Sequence, residues 1–269
     1  MTAPSLPTRR VLIRDMGKAG LALMVLGTAA CSGDPSEDIP APEPETTTSP
    51  PRPTSTSQSR TPETSPPGVG HAWHRVDLGF VSAYILYRDG EAVVVDTGVE
   101  GSEGAIEAAL GEVGLVWGDV GALVVTHLHP DHQGSIPAVI AATTESLPWF
   151  AGAADLTGIE SPTEGQAVGD GDVVGNGLQI IATPGHTPGH ISVLDPVAGI
   201  LVAGDALNGS NGGVAGPNPD FSDDIDLANA SAAKLAGFDY EVALFGHGEP
   251  VLAGASDLVA RLADSSSGG

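Results

Sequence analysis

The chain has 269 residues and is strongly acidic, with a formal net charge of −24. From His71 onward, 27 Asp and Glu oppose four Lys and Arg, which gives this region a net charge of −23. A field of this sign repels polyanions, so nucleic acid and anionic membrane surfaces are not expected to bind this region. We interpret most of the acids as solubilising, since only a few can take part in chemistry.

The composition divides the chain into three parts. Residues 32–70 are mainly Pro, Ser, Thr and Glu, with almost no large apolar side chains, so burial cannot offset the entropy lost on ordering them. Beyond them, runs of Val, Leu, Ile and Ala alternate with Gly-rich turns. The sequence therefore predicts a targeting segment at 1–31, a disordered linker at 32–70 and one folded domain at 71–269.

The first part has the pattern of an export signal. Arg9-Arg10 precedes an apolar stretch, Ala19–Ala30, of about twelve residues, which is too short to span a bilayer. The arginine pair resembles a twin-arginine signal, and Thr28-Ala29-Ala30-Cys31 resembles a lipoprotein cleavage box. We expect a cell-surface or periplasmic lipoprotein anchored to the membrane through acylated Cys31, the linker holding the domain away from the bilayer. The alternative is a signal peptide without lipidation.

The folded domain predicts strands and helices in two similar halves. In the first half, Asp89-Gly90 indicates a tight hairpin turn between two strands. Strands are predicted at 81–87, 92–96, 122–125, 178–182, 191–194, 200–202 and 242–245, and helices at 105–113, 133–142, 224–235 and 256–263. This order favours an α/β fold, a sandwich of sheets with helices outside.

The strongest motif is the heptapeptide that follows the strand at 122–125, Thr126-His127-Leu128-His129-Pro130-Asp131-His132. Side chains two apart on an extended strand point to the same side, so His127 and His129 face one site. Three imidazoles and a carboxylate in six residues suit a borderline cation such as zinc. A purely structural role is disfavoured, because four titratable groups beside a buried strand would be costly to desolvate.

This heptapeptide carries the HxHxDH signature of the metallo-β-lactamase superfamily, and four further motifs resemble that family in order and spacing. They are Ala92–Gly98, Thr183–His190, Leu201–Asp205 and Phe245–Gly248. The resemblance covers almost all of the folded domain. It implies an αββα sandwich with the metal site at one rim, which makes 71–269 a metallo-β-lactamase-like catalytic domain.

The resemblance also implies the ligands. His127, His129 and His186 would hold one metal ion, Asp131, His132 and His247 a second, and Asp205 would bridge the two. Asp96 would support a ligand histidine from behind. The expected cofactors are two Zn²⁺ ions, with Fe or Mn as alternatives.

The remaining histidines and the tryptophans are interpreted as structural. His190 begins a strand and is expected to be a hydrogen-bonded structural residue. His71 and His74 precede the predicted core and are expected at the surface. Trp73, Trp117 and Trp149 are expected to pack in the core.

Two adjacent cations can share a bridging water and lower its pKa, which yields a hydroxide that attacks a polarised carbonyl. Asp131 and Asp205 are the expected catalytic carboxylates, since both bind metal and Asp131 can orient the nucleophile. The same cations stabilise the oxyanion that forms.

Features that the sequence does not show narrow the range of possible substrates. Hydroxyacylglutathione hydrolases add a helical glutathione domain, which is expected to be missing because 22 residues follow His247. Nuclease branches of the superfamily carry large inserts or basic exosites, and this sequence has neither, so a nuclease is not expected. Penicillin-type substrates need a cation for their carboxylate, yet Lys234, interpreted as a surface residue, is the only one between Asp205 and His247. A flexible, uncharged segment, Gly209–Pro219, is expected to border the pocket.

These features favour a small neutral ester, thioester or lactone. The segments Gly216–Phe221 and Phe245–Pro250 resemble the small generic hydrolase branch of the superfamily. The alternatives are a mononuclear iron persulfide dioxygenase using His127, His186 and Asp205, a β-lactam hydrolase, and a non-catalytic lipoprotein scaffold. The additional metal ligands weigh against the first and the last.

Overall fold

The computed structural model describes residues 72–143 and 147–266. The predicted signal, Cys31, the linker and His71 lie outside the described residues. Among those that are described, no helix has both the length and the apolar character needed to cross a bilayer.

The first sheet has six strands in chain order. They are β1 (Ala72–Asp77), β2 (Ser82–Arg88), β3 (Glu91–Val95), β4 (Val120–Val125), β5 (Trp149–Gly152) and β6 (Gln166–Val168). The first three strands pair antiparallel, and β3 to β6 run parallel. Asp89 and Gly90 join β2 to β3 with φ of 54° and 85°, the left-handed conformation that a two-residue type I′ hairpin requires.

The second sheet has five strands in the order β13-β10-β9-β8-β7, and β10 and β13 pair in parallel. These strands are β7 (Val173–Val174), β8 (Leu178–Ala182), β9 (Ile191–Asp195), β10 (Ile200–Val202) and β13 (Val242–Leu244). A separate two-stranded hairpin, β11 (Asn208–Ser210) and β12 (Gly213–Ala215), follows β10. Part of the segment expected to be flexible, Gly209–Pro219, is therefore regular β-structure.

The two sheets pack face to face, and the helices cover their outer faces. Val93 and Val124 of the first sheet share one buried cluster with Val193 and Val202 of the second. The helices are α1 (Glu103–Glu112), α2 (Pro130–Gln133), α3 (Ile136–Ala142), α4 (Ile225–Leu235) and α5 (Ala255–Ser266). Residues of α1 and α3 pack on the outside of the first sheet, and residues of α4 and α5 on the outside of the second. The α/β class and the αββα sandwich are confirmed.

The predicted helix at 133–142 is wrong at its start, because the chain forms two shorter helices, α2 and α3. Gly134 donates its N–H to the carbonyl of Gly98 at 2.8 Å. The Ser135 hydroxyl donates to the carbonyl of Val99 at 2.6 Å and accepts from Ser102 N at 2.7 Å. These bonds to the loop after β3 divert Gly134 and Ser135 from a continuous helix.

The expectation that His74 is a surface residue is also wrong. His74 lies in β1, which was not predicted, and only 4% of it is exposed. Its Nε2 lies 3.3 Å from a carboxylate oxygen of Glu112 in α1, and burial lowers its pKa although Glu112 opposes this. Trp73 and Trp149 are buried and Trp117 packs against the core, as expected.

Tyr84→Phe tests a buried link between the sheets. The Tyr84 hydroxyl donates to the Phe245 carbonyl at 2.8 Å and accepts from Phe245 N at 3.2 Å. Its removal orphans two buried backbone groups, so the free energy of unfolding should fall by about 1–3 kcal/mol in urea denaturation. Tyr87→Phe, on the same strand and only half-buried, should change it by less than about 0.5 kcal/mol. Equal effects of the two variants would contradict this role for Tyr84.

Candidate metal centre

All seven residues interpreted as metal ligands come together at one rim of the sandwich. His127 and His129 follow β4, and Asp131 and His132 lie in α2. The other three follow strands of the second sheet: His186 after β8, Asp205 after β10 and His247 after β13. All seven lie in segments that directly follow a buried strand, so the sheets fix the positions of these segments.

The first trio of ligands consists of His127, His129 and His186, which approach one another within 4.8 Å. The Nδ1 atom of His129 lies 3.0 Å from the Nε2 atom of His127 and 3.0 Å from that of His186. This is the arrangement of ligands that face one ion.

The second trio consists of Asp131, His132 and His247, which also approach within 4.8 Å. His247 Nε2 lies 3.4 Å from Asp131 Oδ2, and His132 Nε2 lies 3.9 Å from the same oxygen.

Asp205 lies between the two trios. Its Oδ2 is 3.4 Å from His186 Nε2 and 3.2 Å from His247 Nε2, while its Oδ1 is 3.4 Å from His132 Nε2. One carboxylate therefore reaches histidines of both trios, which is the position that a bridging ligand requires.

Two neighbouring histidines are oriented by buried hydrogen bonds on the nitrogen that faces away from the centre. Asp96 accepts from His132 Nδ1 at 2.7 Å, from Thr126 N at 2.7 Å and from the Thr126 hydroxyl at 2.8 Å. Because the Thr126 hydroxyl donates to Asp96, it accepts from His127 Nδ1 at 3.1 Å. The structure thus places Asp96 behind His132, where the resemblance implies a supporting residue.

The other two outer histidines are held in the same way. His247 Nδ1 donates to the Phe80 carbonyl at 2.7 Å. The Ser222 hydroxyl donates to Asn218 O at 2.7 Å, so it accepts from His186 Nδ1 at 3.3 Å. The Nε2 atoms of His127, His132, His186 and His247 therefore face the centre, where each neutral ring would offer its lone pair to a cation.

Two buried atoms in the centre support the fit of a metal. His132 Nε2 and Asp205 Oδ1 form no hydrogen bond with the described residues. Leaving buried polar atoms unsatisfied is costly, and a cation between the trios would satisfy both. Gly246 provides room there, because a Cβ at this position would lie 2.2 Å from Asp205 Oδ1. Imidazole and carboxylate donors fit Zn²⁺, Fe²⁺ or Mn²⁺.

The electrostatics keep His127 and His186 neutral and Asp131 and Asp205 charged. Burial lowers the pKa of His186 to about 4 and that of His127 well below its ordinary value, helped by neighbouring histidines. Burial opposes ionisation of Asp205, but His132 and His247 outweigh it and lower its pKa. Hydrogen bonds to Asp131 and Asp205 raise the pKa of His247 to about 10, because the carboxylates attract positive charge.

His190 is a hydrogen-bonded structural residue, as expected from its place at the start of a strand. It accepts from the backbone N–H of Asp205 through Nε2 at 3.0 Å, so its Nδ1 donates to the Thr183 hydroxyl at 2.8 Å. Burial lowers the pKa of His190 to about 3, which keeps the ring neutral. His190 therefore fixes the backbone of Asp205.

The centre opens into a cavity of about 490 Å³. Besides ligand residues, its lining residues are Phe80, Pro130, Asn208, Asn218 and Phe221. No Lys or Arg is among the described residues that line it. Asn218 lies in the segment expected to border the pocket. The two phenylalanines were not predicted from the sequence to line the cavity.

Comparison with known proteins places the chain in a family. Residues 76–247 match the family model of the metallo-beta-lactamase superfamily. A hydroxyacylglutathione hydrolase of Dechloromonas aromatica (strain RCB) is 32% identical over 145 residues, 51% of this chain and 50% of that protein. A probable metallo-hydrolase, YflN, of Bacillus subtilis (strain 168) is 28% identical over 225 residues, 66% of this chain and 84% of that protein. The chain spans about half the length of the first relative.

Solved structures show the same fold. The metallo-beta-lactamase family protein TTHA1429 from Thermus thermophilus has a TM-score of 0.55 and 24% identity, covering 70% of this chain and 74% of that chain. BJP-1, a subclass B3 metallo-beta-lactamase of Bradyrhizobium japonicum, has a TM-score of 0.56 and 21% identity, covering 76% and 90%. The chain belongs to the metallo-β-lactamase superfamily.

Proposed function

We propose that the protein is a hydrolase that holds two divalent metal ions, most simply Zn²⁺, and cleaves an ester, thioester or lactone bond of a small neutral substrate. The convergence of two trios of His and Asp side chains on Asp205, at the floor of one cavity, carries this proposal. His127, His129 and His186 would hold one ion, Asp131, His132 and His247 the other, and Asp205 both. The similarity to hydroxyacylglutathione hydrolases supports hydrolytic chemistry.

Bound divalent cations lower the pKa of water and polarise a carbonyl, which are the two requirements of acyl hydrolysis. The two carboxylates have different surroundings. Both side chains line the cavity, but that of Asp131 is 24% exposed and that of Asp205 only 9%. Asp131 is therefore the better placed to accept a hydrogen bond from an attacking water and orient it, while Asp205 stays between the trios.

The preference for a neutral substrate follows from the charges around the cavity. Lys234 is occupied by Asp170 and the Ala182 carbonyl, and Arg75 by Glu249. Neither lines the cavity. A substrate carboxylate would therefore meet no Lys or Arg among the described lining residues, which disfavours penicillin-type substrates. The acidic surface further repels anions.

Two phenyl rings indicate that part of the substrate is apolar. Phe80 and Phe221 both line the cavity and are 63% and 67% exposed. Phe80 stacks on the ring of His247, with the ring centres 6.3 Å apart and an interplanar angle of 14°. Exposed aromatic rings beside a metal centre favour an apolar group on the substrate, because binding removes their surface from water.

A mononuclear iron persulfide dioxygenase is the competing function. It requires His127, His186 and Asp205 alone, but Asp131, His132 and His247 also face the centre. The second trio favours the two-metal hydrolase over this alternative, and it disfavours a non-catalytic scaffold.

Asp205→Ala tests the bridging role. Removing the shared carboxylate should lower bound metal from two ions per chain to at most one. The rate of ester hydrolysis should fall by more than about 100-fold, which exceeds the loss typical of mutating a residue that only hydrogen-bonds to a metal ligand. Elemental analysis, circular dichroism and a panel of esters, thioesters, lactones and lactams measure these effects, with exposed Asp239→Ala as the control.

The outcome of this experiment also separates the alternatives. Full metal content and turnover in Asp205→Ala would contradict the bridging assignment. One iron per wild-type chain together with oxygen consumption would favour the dioxygenase. Metal binding without hydrolysis of any panel member would favour the scaffold.

Phe221→Ala tests the apolar wall. Losing the ring should raise KM about tenfold for phenyl or long-chain acyl esters, on the scale of burying one large apolar side chain. It should leave kcat and the hydrolysis of acetyl esters nearly unchanged. Val116→Ala, an equally exposed apolar residue outside the cavity, is the matched control. A uniform loss on both classes of ester would count against a contact with the acyl group.

Export as a twin-arginine lipoprotein remains part of the proposal. The full chain carrying Cys31→Ser is expressed in a bacterium that has both twin-arginine export and lipoprotein acylation. The substitution should abolish incorporation of labelled palmitate. The protein should then move from the membrane to the soluble fraction. Unchanged membrane association of the variant would refute the lipid anchor.

A further inference from the structure

Asp155 is a buried carboxylate outside the recognised motifs. It lies shortly after β5 and is completely shielded from solvent. Its side chain accepts three hydrogen bonds, from Leu128 N at 3.1 Å, the Thr187 hydroxyl at 2.5 Å and Gly189 N at 2.6 Å. All three bonds come from neutral donors, two of them backbone N–H groups.

The three donors belong to two loops that carry metal-ligand residues. Leu128 lies between His127 and His129, in the loop after β4 of the first sheet. Thr187 directly follows His186, and Gly189 is next in the same loop, between β8 and β9 of the second sheet. The Asp155 carboxylate therefore connects the loops of the first trio across the two sheets.

The position of the carboxylate depends on a close approach. A Cβ at Gly189 would lie 2.4 Å from Asp155 N and 2.6 Å from Oδ1, so a side chain there would force the carboxylate away. The 3.0 Å separation between His129 Nδ1 and His186 Nε2 joins the same two loops. A change in the spacing of the loops therefore changes the spacing of these two nitrogens.

We propose that Asp155 is a positioning residue that sets the distance between the His127–His129 loop and the His186 loop, and thereby the geometry of the first metal site. It does not line the cavity, so it acts through the histidines and not on the substrate. The inference rests on the proposed function, because it takes the first trio to hold an ion.

The test compares Asp155→Asn with Asp195→Asn. Asparagine has the shape of aspartate, but its NH₂ group must face a donor in the Asp155 site. Asp195 is equally buried and accepts from Val197 N and Ala198 N in the turn between β9 and β10. Apoprotein of each variant is titrated with Co²⁺, with the visible absorption of the bound ion as the readout. Asp155→Asn should weaken Co²⁺ binding by about tenfold and change the spectrum, whereas Asp195→Asn should do neither.

A measurement without metal separates this inference from the proposed function. Amide exchange of Leu128 and Gly189 should accelerate about tenfold in Asp155→Asn, while Val124, a buried residue of β4, stays protected. Wild-type affinity, spectrum and exchange in the variant would overturn the proposal, and so would faster exchange throughout β4, which indicates general destabilisation. If wild-type protein binds no Co²⁺, the metal assignment fails, and exchange alone decides the role of Asp155.

Discussion

The site depends on directing the lone pairs of several buried imidazoles towards a common centre. A neutral histidine has one donor and one acceptor nitrogen, so fixing the donor side determines where the acceptor points. Four different acceptors do this: the Asp96 carboxylate, the Thr126 and Ser222 hydroxyls, and the Phe80 carbonyl. Asp96 adopts φ of 62°, an unusual value for a residue with a side chain. Its three accepted hydrogen bonds help to hold that conformation.

The sandwich makes this arrangement possible because its central strands β3 and β4 are almost entirely apolar. Val93 to Val95 and Leu123 to Val125 are fully buried, so both strands are fixed by packing on both faces. The polar residues of the centre follow the ends of buried strands, and there they bond to one another. One chain of hydrogen bonds runs from His190 through the hydroxyls of Thr183 and Ser192 to the Ala203 carbonyl. A rigid apolar interior thus carries a dense polar network at one rim.

The sequence was sufficient for the fold and for naming the residues that meet at the centre. Long apolar runs identified most strands, and the spacing of His127, His129 and Asp131 identified the chemistry. The short strands β5 and β6 were not identified, because three or four residues carry little periodicity. Tyr84 and Asp155 were not recognised, since their partners lie 161 and 27–34 residues away in the chain. His74 was misjudged because its burial depends on pairing with β2 and contact with α1.

The turn between β1 and β2 contacts both the cavity and one of the histidines of the centre. The carbonyl of Phe80 bonds to His247, while its ring lines the cavity. A substrate that displaces this turn therefore alters the hydrogen bond that orients a metal ligand. By thermodynamic linkage, if bound substrate changes the affinity for an ion at His247 by some factor, the bound ion changes the affinity for substrate by the same factor. The occupancy of the cavity and the loading of the proposed second ion would then be coupled equilibria.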